Sequence, residues 1–247
     1  MSPRNALRTE GPREASCADA LEAFAAARAE RLDEFGRAGL LAAIEIIGSF
    51  VDEVAPDLLD DVSRRRLARR AGSGPPRGAL EARRLAPLLA GCGRCFPFQI
   101  VAGAGVVASF RAETPRLVQW LRANGHADDE GVARFAGGWA AAEPDLARHA
   151  ALQSRIEDDL DQPWRALGEE TIVGRFKVAR VGPLGMWLDA GSGPRGPVRL
   201  PPATEGIFAA GLEVSAAFAR CPLGFALLAA ALPCPPGHVD ALFETIR

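Results

Sequence analysis

Along the first two thirds of the chain, apolar residues recur every three or four positions, which is the spacing of helices with one buried face. The segments that keep this spacing are Ala18–Val54 with a break near Gly36 and Gly39, Asp57–Arg70, Leu80–Ala90, Arg116–Asn124, Asp128–Ala142 and Pro144–Leu160. Thr114 and Pro115 favour a helix start, because threonine caps a helix N-terminus and proline fits its first position. The pattern predicts a helical domain of about six or seven helices over residues 17–163.

From Thr171 to Pro233 the pattern changes to short stretches of alternating apolar and polar residues, separated by turns that contain glycine and proline. In the first stretch, Phe176 and Val178 fall on one face of a strand, and Arg175 and Lys177 fall on the other. Several such stretches in a row are typical of a small barrel.

The fold class expected from these two patterns is α+β, with a helical N-terminal domain followed by a small antiparallel β-barrel over residues 171–233. Phe225–Leu232 fits a strand or a helix by periodicity, and the turn residues on both sides favour a strand. Residues 1–16 are expected to be a disordered lead-in, and residues 234–247 a C-terminal tail or short helix. No apolar run is long enough to cross a bilayer and no signal-peptide core is present, so we expect a cytoplasmic protein.

Four glycine-containing segments of the barrel region carry a resemblance to a known family. They are the start of the first strand at Gly174, then Gly185–Asp189, Gly196–Val198 and Gly211–Val214. In this pattern the stretch resembles the OB-type barrel of ribosomal-protein-like RNA-binding domains, over about a quarter of the chain. That family places aromatic and basic residues on its nucleic-acid face, so the resemblance implies this role for Trp187, Arg175, Lys177 and Arg199.

The charge of the whole chain is close to zero and indicates no partner, but one segment is rich in arginine. The formal net charge is −2, and lysine occurs once, at Lys177, so nearly every positive charge is an arginine. The block Arg64–Arg84 holds eight arginines and one acid, Glu81. Arg64, Arg65 and Arg69 of this block could bind phosphates, or the block could be a solvated helix face that pairs with the neighbouring acids of Asp52–Asp61.

Five cysteines without a secretion signal argue against a disulfide framework. Cys92 and Cys95 form a CxxC motif, and Cys234 with His238 could complete a zinc site that joins the helical domain to the far end of the barrel. The alternative is that these cysteines are small core residues. Apart from this zinc, no cofactor is expected.

The motifs that suggest enzymes each lack a required part. The Gly-x-Gly-x-x-Ala string of Ile100–Ala108 is not followed by the second strand of a dinucleotide-binding unit. The acids Glu157, Asp158, Asp159 and Asp161 have no glycine loop that would fold them around a metal ion. The histidines His126, His149 and His238 have no nucleophile at an informative spacing, and His149 falls on an apolar stripe typical of the core.

The sequence therefore favours a non-enzymatic binding protein, and we expect nucleic acid to be bound by the barrel with help from the arginine-rich segment. The alternative is a protein-interaction or scaffold module, with a zinc-pinned variant as a further possibility. No tyrosine is present, which excludes tyrosine-based catalysis, and no small-molecule site is apparent.

Overall fold

The computed structural model of the protein describes residues 14–54, 56, 59, 61–160, 171–202, 204, 206–222 and 224–246. Its helices are α1 (Cys17–Ala29), α2 (Glu34–Glu53), α3 (Asp61–Ala71), α4 (Leu85–Gln99), α5 (Ala104–Ala123), α6 (Asp129–Leu160) and, after the strands, α7 (His238–Ile246). The strands are β1 (Thr171–Gly182), β2 (Gly185–Asp189), β3 (Pro194–Arg199), β4 (Glu213–Cys221) and β5 (Gly224–Ala230). The expected α+β class, a helical N-terminal region followed by a small barrel, is confirmed.

The first predicted helix is divided by a polar segment rather than at its glycines. Residues 30–33 separate α1 from α2. Asp33 caps α2 by accepting a hydrogen bond from the Gly36 N–H at 2.8 Å, so Gly36 and Gly39 lie inside the helix. A glycine inside a helix costs about 1 kcal/mol, which is less than the cap and the buried face of α2 contribute. The next helix begins at Asp61, and Asp57, where it was predicted to begin, lies outside the described residues.

Prolines do not end the later helices. α5 runs through Pro115 and α6 through Pro144, so the helix starts predicted at these two positions are wrong. Thr114 lies inside α5, where its hydroxyl donates a hydrogen bond to the Phe110 carbonyl at 2.7 Å instead of capping a new helix. An interior proline costs roughly 3 kcal/mol. Burial of Phe110 before Pro115 and of Leu117 after it offsets that cost.

The predicted helix Leu80–Ala90 is displaced along the chain. α4 begins at Leu85 and contains the CxxC motif, with Pro97 in its last turn. Two short 3₁₀ turns, Pro76–Gly78 and Ala82–Arg84, occupy the segment between α3 and α4.

α4 and α6 cross at short range because each offers a glycine at the crossing. A Cβ added to Gly93 of α4 would lie 2.8 Å from the indole of Trp139. A Cβ added to Gly138 of α6 would lie 2.5 Å from the Cβ of Ala90. Real Cβ atoms do not approach that closely, so larger residues at either position would force the two helices apart.

The strands close into a barrel in the order β1-β2-β3-β5-β4, which is compatible with an OB-like barrel. β3 and β5 pair in parallel, and the other four pairs are antiparallel. An odd number of strands cannot close with antiparallel pairs alone, because strand directions would have to alternate around the ring. The core holds inward side chains from each strand, among them Phe176, Met186, Val198, Phe218 and Leu227.

The barrel core extends into α6. Leu152 and Ile156 of α6 are fully buried within the barrel's apolar cluster. Gln153, which lies between them on α6, donates a hydrogen bond from its side-chain amide to the Ala230 carbonyl at the end of β5. The Leu232 N–H donates to the carbonyl of Pro97, in the last turn of α4, at 2.6 Å. These contacts fix the barrel to the helical part.

Alanines occupy the outer sides of β4 and β5 where these two strands pair. Ala217 pairs with Ala229 and Ala219 with Ala226, and all four are buried. α6 contacts β5 and α4 contacts β4, so these strands lie on the side of the barrel that meets the helices. The outer side of β1 remains exposed. Within the described residues, no helix combines the length and the hydropathy needed to cross a bilayer.

Candidate functional site

The exposed side of β1 carries three cations. Arg175 and Lys177 alternate with the buried Phe176 and Val178, as the period of a strand requires. The pairing of β1 with β2 shifts register between Val178 and Arg180, which turns Arg180 outward as well. The sequence pattern did not identify Arg180 as part of this surface, because strict alternation places it inside the barrel.

Trp187 lies outward on β2, directly opposite Arg180. The guanidinium carbon of Arg180 is 3.8 Å from the centroid of an indole ring, which is a close cation–π contact. The indole also lies against Gly196 of β3, where an added Cβ would approach it to 2.8 Å. Trp187 is half-buried between the two neighbouring strands. We call Arg175, Lys177, Arg180 and Trp187 the basic face.

Two carboxylates reduce the positive charge of the basic face. Glu213 of β4 forms an ion pair with Arg175, and its backbone lies in register with Lys177. Asp189 of β2 is in register with Lys177 on the other side. The Asp189 carboxylate accepts hydrogen bonds from the N–H groups of Gly191 and Gly193, at 2.7 and 3.1 Å, so it also shapes the β2–β3 turn.

Arg199 lies on β3, where its register partner is Ala226 of β5, and it is half-buried. Its Cα comes close to Gly185 at the start of β2, where an added Cβ would lie 3.0 Å from it. Of the four residues predicted on the barrel, three lie on β1 and β2, and Arg199 lies on β3 beside the β1–β2 turn.

The turns between β1 and β2 and between β4 and β5 are short. β1 and β2 are joined across the Gly182–Gly185 pair, and β4 and β5 across the Cys221–Gly224 pair. Gly185 has a φ of 125° and a Cβ there would strike the backbone of β3, so only glycine fits this turn.

The three predicted arginines of α3 donate hydrogen bonds to nearby backbone carbonyls. Arg65 and Arg69 donate hydrogen bonds from Nε to carbonyls one turn earlier, at 3.1 and 3.3 Å. Arg64 donates to the carbonyls of Pro56 and Leu59 at 3.0 and 3.2 Å. Their charges thus lie on the outer surface of the α3 region.

A different set of arginines surrounds a cleft between α3 and residues 79–84, which we call the arginine cleft. Its volume is about 100 Å³. Its charged lining consists of Arg66 and Arg70 from α3, and Glu81, Arg83 and Arg84 from the facing segment. Glu81 is held by Arg70 at 2.8 Å and by Arg83 at 2.8 Å. The hydrogen bonds from these two guanidinium groups lower the pKa of Glu81, so it is a carboxylate at neutral pH.

The predicted zinc ligands do not form a metal-binding group. Among the residues that the structure describes, no three His, Cys, Asp or Glu side chains come together in that way. Cys92 and Cys95 are buried on α4, and burial raises the pKa of both thiols, that of Cys95 to about 12. Cys234 exchanges backbone hydrogen bonds with Glu213, and the His238 ring stacks edge-on against Phe98 with centroids 4.8 Å apart.

The remaining motifs have structural roles. The Gly-x-Gly string of the sequence starts α5 at Gly103 and Ala104, and Glu157 of α6 caps this start by accepting a hydrogen bond from the Ala104 N–H at 2.6 Å. Glu157 is one of the four acids that the sequence offered as metal ligands. Another of them, Asp161, lies outside the described residues. His149 is fully buried on α6, and burial lowers its pKa to about 4.

No protein-family model, no curated protein and no solved structure matches this chain.

Proposed function

We propose that the protein binds single-stranded nucleic acid through the basic face of its barrel. The observation that carries this proposal is the stack of Arg180 over Trp187 at 3.8 Å, next to the exposed Lys177. A guanidinium plane held on an indole can stack a nucleic-acid base on its free side, and its N–H groups can reach a phosphate.

The position of the basic face supports the proposal. β4 and β5 are covered where they meet the helices, whereas β1 is exposed along its length. A strand of nucleic acid can therefore lie across β1 and β2 without displacing any of the described residues. The short β1–β2 turn leaves this surface open at its end.

The charges predict weak binding that depends moderately on salt. Three cations lie on the basic face, and Glu213 compensates one of them through its ion pair with Arg175. For single strands the logarithm of affinity falls with the logarithm of salt with a slope of about −0.7 per neutralised phosphate. A slope between about −1 and −2 is therefore expected.

The test is a salt titration of binding to a fluorescent single strand of about 12 nucleotides, near the site size of one barrel. The double variant Lys177→Glu/Arg180→Glu should lower the affinity at least about tenfold and flatten the salt slope. The matched control is Arg134→Glu/Arg148→Glu on α6, which changes the net charge equally at two exposed ion pairs. Equal losses in the two double variants, or no binding by the wild-type protein at low salt, would refute the proposal.

A second function, the binding of another protein, is favoured by an apolar groove between α2 and α4. The groove has a volume of about 310 Å³, with Ile46, Phe50 and Phe96 among its apolar lining, and Glu45 and Glu53 also border it. Such a groove suits a helix with one apolar face and basic flanks.

Phe35 lies on the same face of α2 as Ile46, eleven residues earlier, and is 82% exposed. A partner that binds this surface should be lost in Ile46→Glu and retained in Lys177→Glu/Arg180→Glu. The measurement compares how much of one partner co-purifies with Ile46→Glu and with Lys177→Glu/Arg180→Glu. Loss of the partner from Ile46→Glu alone supports protein binding at the groove. Retention of that partner by Ile46→Glu would exclude the groove.

A further inference from the structure

The arginine cleft is formed by one face of α3 against the segment that follows it. Arg66, Leu67 and Arg70 line the cleft at a spacing of three and four residues, which puts them on one side of the helix. Leu67 is buried and anchors this side against Leu80. The two arginines therefore border the cleft on the α3 side, opposite Arg83 and Arg84, and both remain exposed to solvent.

The positive charge of the cleft exceeds its negative charge. Four arginines line it, and Glu81 is the single acid among its lining residues. Glu81 engages Arg70 and Arg83, and Glu14, outside the lining, also pairs with Arg83 at 3.2 Å. Among the described residues, no carboxylate forms an ion pair with Arg66 or Arg84. Two guanidinium groups thus face the cleft without a counter-charge from the described part of the chain.

We propose that the arginine cleft binds a phosphomonoester dianion, such as the 5′-terminal phosphate of a nucleic-acid strand or free phosphate. A dianion matches the two positive charges that remain when Glu81 and Glu14 are set against the four arginines. The fork of each guanidinium presents parallel N–H groups to two phosphate oxygens. A cleft volume of about 100 Å³ has room for one phosphate group.

Glu81 acts in this site as a built-in competitor. Its carboxylate occupies the donors of Arg70 and Arg83 that an incoming phosphate would share. Replacement of Glu81 by glutamine keeps the shape of the side chain and removes its charge. We expect Glu81→Gln to raise phosphate affinity, the opposite of what damage to the fold would do.

The test compares one oligonucleotide in two forms, with a 5′-phosphate and with a 5′-hydroxyl, and uses inorganic phosphate as a competitor at pH 8, where the monoester is a dianion. The wild-type protein should prefer the 5′-phosphate form by at least about tenfold, because two charge-assisted pairs are added. The variant Arg66→Ala/Arg84→Ala should lose this preference. The control Arg65→Ala/Arg69→Ala removes the same charge from the outer surface of α3 and should keep it.

Competition with inorganic phosphate separates the two possible sources of the ligand. If free phosphate abolishes the preference and stabilises the wild-type protein but not Arg66→Ala/Arg84→Ala, the cleft recognises the phosphate group by itself. If only the oligonucleotide form binds, the cleft recognises a strand end. Both outcomes support a phosphomonoester site.

The outcomes that overturn the proposal are equally distinct. Absence of any 5′-phosphate preference and of any stabilisation by phosphate would exclude the site. The site would also be excluded if Arg66→Ala/Arg84→Ala and Arg65→Ala/Arg69→Ala lost the 5′-phosphate preference to the same extent. Failure of the basic face is separable, because Lys177→Glu/Arg180→Glu should weaken both forms of the oligonucleotide alike and leave their ratio unchanged.

Discussion

Inward and outward residues alternate on both outer sides of the barrel, but the outward residues are exposed on one side and buried on the other. On β1 the outward residues include Arg175 and Lys177, and they are exposed. On β4 and β5 the outward residues include Ala217, Ala219 and Ala229, and they are buried. Side-chain size and charge thus decide which side of the barrel meets the helices.

The difference shows how one small sheet serves two purposes. Alanine lets α4 and α6 approach the backbone of β4 and β5, because little side chain stands between helix and strand. Arginine and lysine on β1 keep their charged ends in water and prevent another element from covering that strand. Substitutions that place a charged side chain on either side of the barrel test this explanation.

The largest effect is expected when a charge is placed on the alanine side. Ala229→Arg would bury a guanidinium at a position that is 8% exposed, so the free energy of unfolding should fall by about 3 kcal/mol or more. The matched variant Ala179→Arg adds the same side chain to an exposed position on β1 and should change stability by less than about 0.5 kcal/mol. Urea denaturation measures both values. Similar losses in the two variants would contradict the division of the barrel into two sides.

A second effect, which depends on pH, should appear at His149 of α6. Its pKa falls from 6.5 to about 4 because burial disfavours the imidazolium, and the nearby Ala230 carbonyl offsets part of this shift. Neither ring nitrogen makes a hydrogen bond of normal geometry. The unfolded chain therefore binds a proton below pH 6.5 that the folded protein does not bind until about pH 4.

Stability should decrease as the pH falls from 6.5 to 4, by about 3 kcal/mol for this one group. Carboxylates add their own pH dependence, so the measurement is the difference between the wild-type protein and His149→Leu, which has no titrating group at this position. The unfolding free energy of the wild-type protein minus that of His149→Leu should fall steadily as the pH drops across that interval. A constant difference would mean that folding does not change the pKa of His149.

The smallest effect is expected on the basic face. Arg180→Ala removes the cation–π contact with Trp187, which at a half-exposed site contributes about 0.5–1 kcal/mol. Arg195→Ala on β3, also an exposed arginine, should leave stability unchanged within about 0.5 kcal/mol. Urea denaturation of both variants gives the comparison. A loss of several kcal/mol in Arg180→Ala would mean that this arginine is a structural element of the barrel rather than part of a surface.

The sequence pattern predicted the individual strands of the barrel but not how those strands pair with one another. The alternation around Phe176 identified β1 and its outward cations, and the turn residues identified β5 as a strand. Arg180 was missed because a register shift is set by the partner strand, which the spacing in β1 does not reveal. The parallel pairing of β3 with β5 depends on closure of the whole barrel.

Helix ends were predicted least well where tertiary contacts override local preference. Thr114 and Pro115 have the composition of a helix start, yet the buried residues on both sides keep α5 continuous. The arginine cleft could not be identified from the block Arg64–Arg84 alone. Which arginines line it depends on how α3 is turned toward Leu80, and this is fixed by the burial of Leu67.

The continuity of α6 limits how this barrel could be moved to another protein. The helix has 32 residues, about 48 Å at 1.5 Å per residue, and passes from the helical core at Phe135 to the barrel core at Ile156. A graft that contained only residues 171–233 would leave the positions of Leu152 and Ile156 empty. A transplantable module would need the last three turns of α6 in addition to the five strands.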